Sequence, residues 1–269
     1  MSPDIKALEE TARKIREDII VMLYEAKWGF TASSLSVVDL LTALYFYKMK
    51  IDPQKPDIEE RDRFILSKGH SAPALYATLA HRGYFSADEL GSYASLNSRL
   101  QAYPDFKTPG VDLPVASLGQ GLSVAQGMAI AAKADKKKYH IYCLIGDGEL
   151  EAGQVWEALA GIAFRKLDNL CLLVDINSMQ QDGFTKKIKN MEPIKEKFQS
   201  FNWNVIAIDG HNLEEVCNAL DKAEKTTGKP TAILAKTIKG KGVSFMEQNP
   251  EWHTKTPDRE ILKKALVEL

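Results

Sequence analysis

The sequence has few cysteines, almost no net charge and no long apolar run, and each absence excludes a class of protein. Its three cysteines, Cys143, Cys171 and Cys217, have no CxxC spacing. This argues against a disulfide framework or structural zinc site and favours a reducing cytoplasm. A net charge of -1 over 269 residues leaves no basic face for nucleic acid. No apolar stretch reaches the roughly 18 residues of a membrane span, so we expect a cytoplasmic protein that binds neither nucleic acid nor membrane.

Apolar strands and helices alternate along the second half of the chain. Strands are predicted over residues 140–145, 170–174, 203–208 and 230–235, and helices over 155–165 and 214–225. The first half predicts one strand over 63–67, and helices over 6–26, 36–46, 74–82 and 121–133. Strands that are apolar throughout favour a parallel sheet with both faces covered. We predict one α/β domain over residues 1–269: a doubly wound, mostly parallel sheet with helices on both faces.

The irregular parts of the chain give three further expectations. Residues 91–118 form a long segment without a regular pattern, which is typical of a functional or flexible loop. The segment from Asn249 onward is expected to wrap over the domain. His211 follows a predicted strand and is expected to cap the next helix.

Gly146-Asp147-Gly148 directly follows the apolar strand over residues 140–145. Open α/β sheets bind ligands beyond the carboxyl ends of their strands. The glycines allow the backbone to approach a phosphate closely, and Asp147 offers a hard oxygen to a cation. The helix that starts near Gly153 presents unpaired N–H groups to an anion.

Asn177 follows the next predicted strand, so its side chain is expected near Asp147. A carboxylate, an amide oxygen and a main-chain carbonyl, with two diphosphate oxygens and a water, complete the six oxygen ligands of Mg²⁺. Gly-Asp-Gly alone is a weak motif. With an apolar strand and Asn177 after it, the pattern is the signature of a thiamine diphosphate site.

These residues belong to a wider match, because nearly the whole chain resembles the N-terminal half of transketolase. It is most similar to the N-terminal subunit of split transketolases, in which two genes encode the two halves. The matching segments are residues 33–36, 67–71, 117–121, 146–149, 182–183, 236–242 and 249–253. Several ordered segments together are far more specific than any one of them.

The resemblance implies roles for particular residues. It implies that Asp147, Asn177 and the main-chain carbonyl of Met179 bind magnesium. His70 and His253 would be catalytic, touching the diphosphate or the reacting centre. The full set expected to bind thiamine diphosphate is His70, Ser117, Leu118, Gly119, Gly146, Asp147, Gly148, Glu149, Asn177, Met179 and His253. The backbone at 117–119 would lie along the aminopyrimidine ring.

The resemblance also implies a partner chain. In this family the aminopyrimidine is activated by a glutamate of a pyrimidine-binding domain, and no such domain follows in this sequence. A separate pyrimidine-domain subunit, the C-terminal half of a transketolase, is therefore expected in an α2β2 assembly. The chain alone is expected to be inactive.

Three positions depart from the family pattern. Phe30 and Tyr103 stand where transketolases usually have histidines that hydrogen-bond the sugar donor, and Ala152 replaces a glutamate, with Glu151 one position before it. Phe30 can neither donate nor accept a hydrogen bond, and Tyr103 keeps one hydroxyl. We therefore predict an enzyme that transfers a two-carbon ketol or acyl unit to an aldehyde, with an altered choice of donor.

Three other functions stay open at this point. The donor could be a 2-oxo acid, as in the related 1-deoxyxylulose-5-phosphate synthases, rather than a sugar phosphate. The chain could instead be the α subunit of a 2-oxoacid dehydrogenase, which shares the Gly-Asp-Gly and Asn signature. It could also be a non-catalytic scaffold subunit that binds the cofactor.

Overall fold

A computed structural model describes residues 2–269, and at its centre is a five-stranded sheet. The strands of this sheet are β1 (Arg63–Leu66), β2 (Ile141–Gly146), β3 (Leu170–Ile176), β6 (Asn204–Asp209) and β7 (Thr231–Lys236). They run in the order β1-β2-β3-β7-β6, and all pairs are parallel. A short antiparallel hairpin, β4 (Met179–Gln180) with β5 (Gly183–Phe184), stands beside the sheet.

Ten α-helices surround the sheet in the part of the chain that the structure describes. They are α1 (Ile5–Ala26), α2 (Thr31–Leu35), α3 (Val38–Ala43), α4 (Ala72–Arg82), α5 (Gly121–Ala134), α6 (Gly153–Phe164), α7 (Thr185–Ile188), α8 (Ile194–Ser200), α9 (Leu213–Lys225) and α10 (Arg259–Glu268). Each predicted strand is found within one or two residues of its expected bounds. The prediction of one helix over 36–46 was wrong, because α3 ends at Ala43 and a π-helical turn, Leu44–Lys48, follows it.

Alternate residues of each strand enter two separate hydrophobic cores, as the two-residue period of a strand requires. Leu144 and Leu173 face the core formed with α1, α3, α4 and α9. Cys143 and Leu172 face the other core, formed with α5, α6 and α8. The three cysteines are buried free thiols. Helices on both faces of a parallel sheet confirm the predicted fold class.

Two expectations for irregular segments had different outcomes. The chain after Asn249 does pack onto the domain, and α10 within it was not predicted. The prediction that His211 caps a helix was wrong: Asn212 caps α9, and its side chain accepts from Glu214 and Glu215. The His211 ring instead bridges Asp39 and the N–H of Ile238, at 2.7 and 2.8 Å.

The carboxyl ends of the strands meet at one edge of the sheet and deliver polar residues there. Lys68 and His70 follow β1, Asp147 follows β2, Asn177 follows β3, and Lys239 follows β7. Parallel strands bring residues that are distant in sequence to the same side. Within residues 2–269, no helix is long and apolar enough to span a membrane.

Candidate active site at the carboxyl edge of the sheet

An open cavity of about 380 Å³ lies at this edge of the sheet. Its lining comes from every part of the chain: Phe30, Ser33, Lys68, His70, Tyr103, Ala116, Leu118, Gly146, Asp147, Gly148, Glu149, Glu151, Asn177, Met179, Gln180, Gln181, Asp182, Lys239 and His253. The predicted metal ligands and both predicted catalytic histidines are therefore brought together. The irregular segment 91–118 contributes Tyr103, Ala116 and Leu118 to the wall.

One end of the cavity, here called the oxygen-donor end, contains Gly146, Asp147, Gly148, Asn177 and Met179. The carboxylate of Asp147 accepts from the N–H groups of Gly148 and Ser178, at 2.9 and 2.7 Å. The side-chain oxygen of Asn177 accepts from the N–H of Met179 at 3.0 Å. Ser178, between the two predicted ligands, has a left-handed φ of 64°, a backbone strain often found at binding loops.

A buried ion pair stands behind the oxygen-donor end. Asp175 is fully buried, and Lys68 Nζ donates to its carboxylate at 2.6 Å. Ser36 Oγ and Asn177 Nδ2 each donate to the same carboxylate at 2.9 Å, and Thr237 Oγ1 donates to its other oxygen. Burial opposes the charge of Asp175, but Lys68 and these donors lower its pKa. Because Asn177 gives its amide N–H to Asp175 and its oxygen accepts only from Met179, one lone pair of that oxygen remains for a ligand.

The oxygen-donor end fits a magnesium ion that is shared with a diphosphate. Burial, and then the charge of Asp175, raise the pKa of Asp147 to about 7, and a cation bound to this carboxylate would lower it. Among residues 2–269, no cluster of three His, Cys, Asp or Glu side chains could hold a metal. A cation at the oxygen-donor end would bind its carboxylate, amide and carbonyl oxygens and take its other ligands from phosphate and water.

A second part of the cavity wall, here called the aromatic end, is formed by Phe30, His70, Tyr103 and His253. The Phe30 ring lies 5.4 Å from both histidine rings and 6.5 Å from Tyr103, measured between centroids. The two histidine rings are 5.6 Å apart. Phe30 therefore packs against all three polar side chains of this wall and adds no hydrogen-bonding group of its own.

Both histidines at the aromatic end are uncharged at neutral pH. Burial, and then the positive charge of Lys68, hold the pKa of His70 well below its usual value. Burial, and then Lys239, lower the pKa of His253 to about 4. Nδ1 of His253 lies 3.0 Å from Lys239 Nζ and 3.3 Å from Ser33 Oγ. These histidines can exchange hydrogen bonds with a ligand but do not bring charge to it.

Glu149 ties two of the predicted cofactor-binding segments together. Its carboxylate accepts from Ser67 Oγ at 2.6 Å, the N–H of Gly119 at 2.9 Å and the N–H of Gly146 at 2.8 Å. Ser117 and Leu118 are exposed beside this contact. Gly119 has φ +84°, and a Cβ there would lie 2.9 Å from that of Ala152, so this turn favours glycine. Direct contact of these residues with the cofactor stays a prediction.

Sequence reasoning gave no role to Lys68, Lys239 and Asp175, although the two lysines lie in segments that carry the resemblance. Their positions could have pointed to a role, because each of the three residues lies at or just beyond the end of a strand at the ligand-binding edge. Glu151 also lines the cavity, and its Oε1 atom is buried without a hydrogen-bond partner among the described residues.

Comparison with known proteins identifies relatives of this arrangement. Residues 7–264 match the model of the family described as transketolase, thiamine diphosphate binding domain. The chain is 43% identical to the 6-deoxy-6-sulfo-D-fructose transketolase subunit SqwG of Clostridium sp. (strain MSTE9), covering 97% of this chain and 96% of that protein. It is 42% identical to one subunit of the apulose-4-phosphate transketolase of Actinobacillus succinogenes, covering 97% of this chain and 95% of that one.

Two longer transketolases match this chain over a smaller share of their own length. Human transketolase is 38% identical over 98% of this chain, and the match spans 42% of the human protein. Transketolase from Campylobacter jejuni has a solved structure that superposes with a TM-score of 0.92 at 32% identity. That superposition covers 98% of this chain and 42% of the other.

Proposed function

The chain belongs to the transketolase family as its thiamine diphosphate-binding part, and from this premise we propose that it moves a two-carbon ketol unit from a ketose donor to an aldehyde acceptor. The observation that carries the proposal is the shared cavity in which Asp147, Asn177 and Met179 face His70 and His253. The 2-oxoacid dehydrogenase, synthase and scaffold alternatives are not favoured, because the relatives are named as parts of transketolases.

The oxygen-donor end would bind the cofactor through its diphosphate. Asp147, Asn177 and the main-chain carbonyl of Met179 would hold Mg²⁺, and the buried charges of Lys68 and Lys239 would attract the phosphate oxygens. Thiamine diphosphate, when bound, would supply a nucleophilic thiazolium carbon for addition to a ketose carbonyl. Glu149 would keep the turns at Gly119 and Gly146 in place around it.

The aromatic end would position the donor against that carbon. Neutral His70 and His253 would donate or accept hydrogen bonds at the donor oxygens without adding charge. The ring of Phe30 would exclude water from the same region, which strengthens those hydrogen bonds. Tyr103 would offer the remaining hydroxyl of this wall.

A second subunit would complete the site. The names of relatives that match over nearly their full length describe subunits, and this supports a separate pyrimidine-domain partner in an α2β2 assembly. The outer faces of α5 and α6 also expose apolar residues, with Ile130 36% and Phe164 83% exposed, which suits a contact between chains. We propose further that residues 1–269 form one domain, Met1 lying outside the described residues, and that the three free thiols reflect a reducing cytoplasm.

The choice of donor is proposed to differ from that of ordinary transketolases. The aromatic end has Phe30 where a hydrogen-bonding side chain would recognise a hydroxyl. Two relatives are named for a sulfonated deoxyketose and for apulose 4-phosphate. A modified ketose is therefore the donor that the site favours, ahead of a 2-oxo acid.

The test is a donor assay on the complex purified with its natural partner chain, supplied with thiamine diphosphate and Mg²⁺. Xylulose 5-phosphate, 6-deoxy-6-sulfofructose and pyruvate are offered in parallel with an aldose phosphate acceptor. We expect a ketose to be cleaved and its two-carbon unit to appear in the lengthened sugar. Turnover of pyruvate alone, or of none of the three, would contradict the proposal, and fastest turnover of xylulose 5-phosphate would contradict the altered donor choice.

A further inference from the structure

Lys239 is almost fully buried, yet its ammonium group reaches the wall of the cavity. It is 1% exposed, and Nζ lies 3.0 Å from Nδ1 of His253 and 3.4 Å from the carbonyl oxygen of Gln180. An ammonium group carries three donors and no acceptor. A protonated Lys239 must therefore donate to Nδ1 of His253, and Nδ1 can then carry no proton.

The segment around Lys239 is held from several directions, so this contact is not that of a mobile side chain. The N–H of Ile238 donates to Nε2 of His211 at 2.8 Å. The N–H of Gly240 donates to the carbonyl of Ala32 at 2.9 Å, and that of Gln248 donates to the carbonyl of Lys239 at 2.9 Å. Ala32 precedes Ser33, the second hydrogen-bonding group at Nδ1 of His253, so both partners of that nitrogen lie on segments bound to each other.

The histidine that receives this contact is neutral and has only one free ring nitrogen. Its pKa is lowered to about 4 by burial and then by Lys239 and Lys68, so one proton must be shared between two nitrogens. With Nδ1 engaged as an acceptor, the proton belongs on Nε2. Nε2–H is then the polar group that His253 offers to the cavity.

We propose that Lys239 is a positioning residue that fixes the Nε2–H tautomer of His253, so that His253 presents a hydrogen-bond donor to a ligand oxygen in the cavity. The inference rests on the proposed function only for the nature of that ligand, a ketose donor. It assigns His253 the role of a donor to oxygen and not that of a general base. His211, which follows β6, supports the segment around Lys239 by accepting from the N–H of Ile238.

The tautomer can be read directly in the complex with the partner chain, using ¹⁵N-labelled histidine in this chain. The chain has five histidines, and the signal of His253 is assigned by its loss in His253→Gln. We expect a bare imine nitrogen at Nδ1 and an N–H at Nε2 at neutral pH. An N–H at Nδ1 in the wild-type protein overturns the proposal, whether or not any donor is turned over.

Lys239→Met removes the ammonium group and keeps much of the side-chain volume. We expect its His253 signals to average between the two tautomers and the KM of the ketose donor to rise about 3- to 10-fold, the range for one neutral hydrogen bond. Lys239→Arg, which restores a cationic donor, should recover part of that loss, and Ser33→Ala should leave the tautomer unchanged. If Lys239→Met keeps the wild-type His253 spectrum, the proposal is wrong. If the variant does not fold, the wild-type spectrum decides.

Discussion

The two ends of the cavity are held in place by different kinds of contact. At the oxygen-donor end, Asp147 and Asn177 are fixed by backbone N–H groups and by a fully buried ion pair. At the aromatic end, Phe30 lies among rings 5.4 to 6.5 Å away, and the polar contacts converge on His253. Hydrogen bonds to buried charges permit little variation, whereas ring packing tolerates exchange. The first end should therefore decide whether the cofactor binds, and the second which donor reacts.

The largest effect is expected at Lys68, which supports the oxygen-donor end from behind. Lys68→Met leaves the carboxylate of Asp175 buried without its cation, which should lower the free energy of unfolding by about 3–5 kcal/mol. Urea denaturation measures the loss. Lys133→Met is the matched control: its pair with Asp168 has the same 2.6 Å separation, but Lys133 is 41% exposed, so a loss of about 1 kcal/mol or less is expected. Equal losses in the two variants would show that burial does not increase the contribution of the ion pair to stability.

Asp147→Asn should separate the two ends by removing cofactor binding alone. Losing a residue that only orients a metal ligand already costs about 10–100-fold in affinity, so losing a ligand itself should weaken Mg²⁺-dependent binding of thiamine diphosphate by at least about 100-fold. Calorimetric titration of the cofactor measures this. Asp57→Asn, an exposed change before β1, should bind normally. Retained affinity in Asp147→Asn would contradict the assigned magnesium site.

Phe30→His tests the other end. It places a hydrogen-bonding ring at a position that now has an apolar one, so it should shift the ratio of kcat/KM between two ketose donors by about 10-fold or more. Cofactor affinity should stay within about 2-fold, because none of the hydrogen bonds that hold Asp147 and Asn177 involves Phe30. Competing donors in one assay give the ratio, and Phe30→Leu, which removes the ring without adding a polar group, should not move it toward a hydroxylated donor. A loss of cofactor binding in Phe30→His would break the division between the two ends.

The smallest effect is expected at Tyr103. Tyr103→Phe removes one hydroxyl from the aromatic end, and a neutral hydrogen bond accounts for about 3- to 10-fold in kcat/KM of the donor. Steady-state kinetics with saturating cofactor measure it. Tyr47→Phe, outside the cavity and hydrogen-bonded to Asp221, should leave kcat/KM unchanged. An unchanged value in Tyr103→Phe would mean that its hydroxyl does not meet the donor.

The sequence predicted the strands and the oxygen-donor end well because both depend on local patterns. The apolar runs ending at Ile145 and Val174 are continuous, and the polar residues after them fall at one edge by topology alone. The helix predicted over 36–46 failed because the segment is mostly apolar and almost entirely buried, which hides the change from α3 to the π-helical turn. The short helix α8 escaped prediction because it buries only Ile194 and Phe198.

The roles of the buried lysines could not be predicted from their surroundings in the sequence. A buried lysine is stable only where partners remove the cost of desolvation. The side-chain partners of Lys68 are Asp175 and Ser36, and that of Lys239 is His253. Ser36 and Asp175 are far from Lys68 along the chain, and His253 is brought to Lys239 only by the fold of the segment after β7. The wrong expectation for His211 has the same cause, since its partner Asp39 lies on α3.

The position of β7 sets an order of events when the chain emerges from the ribosome. β7 lies between β3 and β6, although it follows both in the sequence. Until Thr231–Lys236 has been synthesised, β3 presents an unpaired edge and β6 has no neighbour. Pairing across such sequence separations is slow, and exposed edges invite association with other chains. Lys239 and His253 are synthesised later still, so the aromatic end can be completed only after all five strands of the sheet have been made.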